Sequence, residues 1–254
     1  MTAGRATTPH PTLYGDPVAS RLGQGIEGRA RNSALGRSPL GISLRAVARE
    51  ARFAVLHRRG VRAARSFAET TGLFIQLGSG PKPKPGWINV DLSPEADVTL
   101  DLRRPLPFTS GSATTIYCEH LFEHLDHPGP AEQLLRECIR VLEPGGRLSI
   151  SVPSVAWHLG RYVADDRAWF EKERASGQRP AWVRTPLDSL NYLFSMEGEH
   201  RYAYDAETLI DRLREAGFSE VETRSFDPDL DSEERRESLF VDGVRPSAGA
   251  AGAS

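Results

Sequence analysis

Cysteine is scarce: the 254 residues hold two, Cys118 and Cys138, both in apolar surroundings (TTIYCEHL and LRECIRVL). A disulfide framework is therefore not expected, and two reduced, buried thiols are. Nowhere do about 18 uncharged apolar residues follow one another, which argues against an integral membrane segment. The opening MTAGRATTPHPTLYGDP also lacks the apolar core of a secretion signal, so a cytoplasmic location is expected. Charge of one sign is not in excess either, because 32 Lys and Arg against 34 Asp and Glu leave a net charge of −2. No whole-molecule field favours nucleic acid, and no nucleic-acid partner is expected. What is present, 39% hydrophobic and 26% charged residues, suffices for a sizeable core.

Residues 1–42 are rich in Gly, Pro, Ser, Thr and Arg without periodicity, and the tail 246–254 is small-residue low complexity; both are expected to be disordered. Within 43–70, Leu44, Val47, Ala48, Ala51, Val55 and Leu56 recur at helical spacing between arginines, which predicts a basic amphipathic helix capping the domain rather than lying on a membrane. From 71 to 245 the segments alternate. Strands are expected at Leu73–Leu77, Trp87–Val90, Val98–Leu100, Ala113–Cys118, Arg147–Val152, Phe218–Phe226 and Ser238–Val244, and helices at Pro130–Leu142 and about Asp205–Ala216. That rhythm predicts an α/β fold whose helix-covered sheet is mainly parallel, its last strand antiparallel.

LFIQL runs directly into Gly78-Ser79-Gly80, which places a flexible bend at the carboxyl edge of the first strand, where open α/β sheets bind ligands. The next strand ends in Val90-Asp91, an acid suited to accept the hydroxyls of a ribose. Between them, Pro81-Lys82-Pro83-Lys84-Pro85-Gly86 bars the helix N-terminus on which dinucleotide and nucleoside-triphosphate sites seat their phosphates. Neither GxGxxG nor GxxxxGK[ST] occurs. The site suits a nucleoside without phosphates, with Lys82 and Lys84 as the counter-argument.

These residues resemble the S-adenosylmethionine-dependent methyltransferases of the Rossmann-like class, especially the branch with LGSGP followed closely by PGWINVD. The resemblance spans about Leu73 to Val244 and includes IYCEHLFEHL and LEPGGRLSISVPS. It implies S-adenosylmethionine as cofactor, lying along Gly78, Ser79 and Gly80, with Asp91 and Leu92 at the ribose and Asp101 and Leu102 at the adenine. Glu119 and His120 would line the methionine end. Where the family commonly carries an acid two positions before the first glycine, this chain has Gln76, an uncharged group still able to meet the cofactor's ammonium.

Methyl transfer to a hydroxyl gains from a base, and His124 or His200 is the candidate. The string His120-Leu121-Phe122-Glu123-His124 has a rival reading as a zinc hydrolase motif, two histidines sharing one helix face; within the resembling family a similar Glu-His pair can also hold a divalent ion, which would fall to Glu119, His120, Glu123 or His124, but helix capping is the plainer role and no metal ligand is expected. A third reading is a non-catalytic scaffold. Residues 153–203 form an insertion holding Trp157, Trp169 and Trp182, expected to act as lid and pocket for a small-molecule or glycan-type acceptor, with Arg161, Arg167, Arg179, Arg184 and Arg201 for anionic groups. Its alternative is a helical subdomain whose aromatics are its own core. Oligomeric state is not legible.

Overall fold

The computed structural model describes residues 38–177 and 179–247. The disorder expected for 1–42 and 246–254 lies outside the described residues except at 38–42 and 246–247, and there 39–42 are helical, because Ser38 and Pro39 open the first helix four residues earlier than expected. Ser38 caps the first helix, α1 (Pro39–Ala63), by accepting a hydrogen bond from Gly41 N at 3.1 Å, and Pro39 stands where a missing N–H costs nothing. A short 3₁₀ turn (Ala64–Phe67) leads to the sheet strands β1 (Leu73–Leu77), β2 (Ile88–Asp91), β3 (Val98–Thr99) and β4 (Ala113–Glu119). Helix α2 (Pro130–Val141) opens on a proline and runs straight into β5 (Leu142–Val152). Three helices, α3 (Val155–Val163), α4 (Arg167–Ala175) and α5 (Pro186–Ser195), make up the insertion. The last elements among the described residues are α6 (Ala206–Glu215), β6 (Ser219–Thr223) and β7 (Leu239–Val244).

The sheet has seven strands in the order β3-β2-β1-β4-β5-β7-β6, with β7 antiparallel to both neighbours and the other pairings parallel. Its central strands are apolar on both faces because helices cover both: Ile75, Leu77, Val90, Ile116, Cys118, Leu148 and Ile150 are fully buried, as are Val141, Leu209 and Leu213 on the covering helices. The order reverses at β1 and β4, so the crevice outside their carboxyl ends is where this architecture takes ligands. Both cysteines are free and buried. Asp205 caps α6 through Thr208 N at 2.8 Å, and Gly217 ends it at φ +101°, as the sequence suggests.

One expectation is corrected at α1. The helix exists, but the apolar stripe is not its inner face: Leu44 is 58% exposed, Val47 68% and Val55 47%. Contact with the sheet is made instead at Gly60, since a residue without a side chain lets the helix backbone approach β3, and the buried Phe53 lies under the Arg103 guanidinium. A Cβ at Gly60 would stand 1.9 Å from the Thr99 carbonyl oxygen.

Gly60→Ala is therefore expected to destabilise the protein by about 1–3 kcal/mol, the cost of overpacking against a backbone atom that cannot rotate away, despite alanine's better helix propensity. Urea unfolding of the two proteins checks it; equal or higher stability of the variant would refute the contact.

Candidate functional site

β1 ends at Leu77 and the chain bends through Gly78 (φ +72°), Ser79 and Gly80 (φ +52°). The bend is held to β2 by Gly78 N and Ser79 N donating to the Val90 carbonyl at 2.8 and 3.3 Å. Asp91, 8% exposed, turns into it: Oδ2 accepts from Gly80 N at 3.0 Å and Oδ1 from Ser93 N at 2.7 Å. Burial raises the Asp91 pKa, and these backbone bonds pull it back. Leu92 and Leu102 are buried beside this strand end.

No helix forms across the proline-rich connection. Lys84 N donates to Gln76 Oε1 at 3.0 Å and Asn89 Oδ1 at 2.7 Å, so the Gln76 amide organises this loop. Lys84 Nζ donates to the Leu230 carbonyl and lies 4.9 Å from the Tyr117 ring centre, while Lys82 pairs with Glu234. Both lysines are thus engaged with the segment before β7. The Asp101 carboxylate is grasped by Arg103, Nε at 2.8 Å and Nη2 at 2.9 Å, and the same guanidinium reaches Glu50 on α1. Burial works against the Asp101 charge, but the Arg103 bonds outweigh it and hold its pKa below the usual range.

The end of β4 is closed over by residues 224–238, a strap that the sequence reading did not foresee. The Tyr117 hydroxyl lies 3.0 Å from Glu119 Oε1 and 3.1 Å from Asp231 Oδ1. Glu119 accepts from Ser232 N at 2.9 Å and from the Ser232 hydroxyl. Arg224 holds Asp231 through Nη1 at 2.6 Å and Nη2 at 2.7 Å, and reaches Asp242 at 3.0 Å. His120 Nδ1 accepts from Arg235 Nη1 at 3.0 Å, which leaves Nε2–H to donate to Ser238 Oγ at 2.7 Å. Eleven residues between two expected strands, 227–237, are more than a hairpin needs, and that surplus was the available signal.

The helical reading of His120 to His124 is overturned. His120 has φ +51° and only Phe122–His124 make a 3₁₀ turn, so the two imidazoles do not share a helix face. Instead His124 meets His200, the rings edge to face with centres 4.8 Å apart. His200 Nδ1–H donates to the Leu193 carbonyl at 2.6 Å, leaving Nε2 with its lone pair. Burial lowers the His200 pKa and, with the His200 charge adding to it, takes His124 down to about 3, so both are neutral at pH 7. A base that weak is poorly matched to a hydroxyl proton, which leaves His200 as the better of the two expected bases. Glu123, 2% exposed, has its pKa pushed up to about 8 by burial, and neither of its oxygens has a hydrogen-bond partner.

The insertion is a helical unit with a small aromatic core. Trp169 packs edge-on against His158 and Phe170. Its arginines are largely spent within it: Arg161 pairs with Asp166 and covers Trp157, Arg167 pairs with Asp165, and Arg179 pairs with Glu173 and covers Tyr192. Arg201 lies 3.9 Å from Asp126, and Arg184 lines a cleft between α4 and α5.

Two outcomes follow from these networks. Arg224→Ala leaves the buried Asp231 carboxylate without its cation, while the half-buried Asp242 keeps Arg147, and is expected to cost about 3–5 kcal/mol in denaturant unfolding; a cost under 1 kcal/mol, on the order of a surface pair, would contradict the anchoring role. Because the Asp101 pKa is lowered in the folded protein, its charge adds stability above the unfolded value of about 4 that is lost as pH falls through the folded value. The stability gap between the parent and Asp101→Asn should therefore be present at pH 7 and close below about pH 4; a gap unchanged at pH 2.5 would contradict it.

No curated protein matches the chain. Among solved structures it is similar to a SAM-dependent methyltransferase of Thermotoga maritima, at 19% identity and a TM-score of 0.42 over 79% of this chain and 97% of that one. It is similar to another from Methanosarcina mazei, at 12% identity and a TM-score of 0.44 over 72% and 97%. A third, described as a complex between the Haloferax volcanii Trm112 methyltransferase activator and a methyltransferase, aligns at 16% identity and a TM-score of 0.43 over 94% and 100%. A family profile described as a methyltransferase domain matches residues 45–223, from within α1 to the end of β6. The chain belongs to this methyltransferase-domain family and is an S-adenosylmethionine-dependent methyltransferase.

Proposed function

We propose that the protein transfers the methyl group to a small-molecule or glycan-type acceptor, with the cofactor's adenosyl part lying along Gly78, Ser79, Gly80, Asp91 and Leu92. The observation that carries this reading is the Asp91 carboxylate at the end of β2, aimed at the Gly80 amide in the crevice where strand order reverses. Each oxygen holds one backbone donor and keeps capacity for a ribose hydroxyl. The buried Leu102 gives the adenine an apolar neighbour, and Asp101 acts there through its fixed loop, since its carboxylate is bound to Arg103. Gln76, Glu119 and His120 belong to the methionine end, where their present partners are Lys84 N, Ser232 and Arg235.

The acceptor belongs on the side of the insertion. Methyl transfer is an in-line displacement at a sulfonium, and its main demand is two reacting atoms held at near-attack distance in a dry pocket. His124 and the half-buried His200 meet edge to face on that side, and Nε2 of His200 is the nitrogen with a lone pair to offer.

Calorimetric titration of the full chain should give saturable binding of S-adenosylmethionine and much weaker binding of NAD and ATP. Asp91→Ala should lower the affinity about 10- to 100-fold, the worth of a charged hydrogen bond or two, with far-UV circular dichroism unchanged. Tighter binding of either phosphate-bearing ligand, or undiminished binding by a folded Asp91→Ala, would overturn the site.

A further inference from the structure

Glu123, His124 and His200 bring a carboxylate oxygen and two imidazole nitrogens within 4.8 Å of one another. They come from distant parts of the chain, the turn after β4 and the end of the insertion, and the backbone locks the two together: the Glu123 carbonyl accepts from Arg201 N at 2.7 Å and Tyr202 N at 3.3 Å. Glu123 is buried, and neither carboxylate oxygen has a hydrogen-bond partner, an expensive state unless another group occupies the space before it. His120 Nδ1 stands 3.4 Å and His124 Nε2 4.0 Å from Oε1. His200 is oriented as metal-binding histidines are, one ring nitrogen donating to a main-chain carbonyl and the other turned inward.

We propose that Glu123, His124 and His200 bind a divalent transition-metal cation, zinc by the chemistry of the donor set, with three protein ligands and one open position. Two imidazoles and one carboxylate suit zinc and its neighbours, whereas magnesium and calcium favour all-oxygen sites. Ligand bonds of about 2.0–2.2 Å put tetrahedral donors about 3.4 Å apart, so the three groups need to close by at most about 1.4 Å. The site differs from the helical zinc motif: His120 is occupied by Arg235 and Ser238, and His200 takes its place. A nitrogen that ligates a cation has no lone pair left for a proton, so in this site His200 is a ligand and not a base. Three protein ligands leave room for an oxygen of water or of the acceptor.

The test uses the untagged full chain, stripped with a chelator and titrated with zinc alone in the absence of S-adenosylmethionine, so its result is independent of the cofactor assignment. One zinc per chain is expected, together with the intense visible absorption of a four-coordinate site when cobalt(II) is added. Glu123→Gln and His200→Ala should each lower zinc affinity at least about 100-fold, while His127→Ala, outside the cluster, should leave it unchanged. Should the buried variants fail to fold, stoichiometry and the cobalt spectrum of the parent decide alone. No saturable zinc binding, a six-coordinate cobalt spectrum, or equal affinity in a folded Glu123→Gln would overturn the site.

Discussion

A carboxylate taken out of water must find its donors inside the protein, and at the carboxyl edge of this sheet the requirement is met several times over. Asp91 finds backbone amides of Gly80 and Ser93, which fixes the bend after β1 to the end of β2. Asp101 finds Arg103, and through it Glu50 ties α1 to the loop after β3. Glu119 and Asp231 find Tyr117, Ser232 and Arg224, which fastens the strap before β7 across the end of β4. Glu123 alone of these is left with no hydrogen bond to either oxygen, and it is the one that faces two imidazoles. The shape of the ligand crevice is thus the sum of how each buried acid is satisfied.

Much of this was legible in local sequence. LFIQL becomes β1 with the bounds its β-branched, apolar run suggests, and Asp205 caps α6 because Thr208 follows at the right spacing. The bend at Gly78 and the acid at Asp91 are readable for the same reason, since glycine and aspartate mark the two strand ends. Where an element depends on a remote partner, the reading fell short. β5 begins at Leu142, before the Pro144-Gly145-Gly146 break, because Leu142 pairs with Ala113 on β4. The strap was invisible because Ser232 meets Glu119 across 113 positions and His120 meets Ser238 across 118. The stripe on α1 has the right period and the wrong direction: what seats the helix is Gly60, and absence of a side chain leaves no hydrophobic signal.

The two lysines in the proline-rich connection bear on which class of nucleotide the proposed site would take. Had they stood free at the crevice, a phosphate could have been neutralised there without any helix N-terminus. Lys84 instead donates to the Leu230 carbonyl beneath the strap, over the face of Tyr117, and Lys82 pairs with Glu234. The Lys84 charge is turned inward under residue 230, whereas Lys82 and Glu234 form an exposed pair at the rim. What the bend itself presents is backbone amide and one carboxylate, an environment that disfavours added negative charge beside Asp91 and accommodates hydroxyl donors. An acid at the end of the second strand is shared with dinucleotide sites, so it is the proline-rich connection, which forms no helix N-terminus to seat a pyrophosphate, that supports the phosphate-free ligand proposed above.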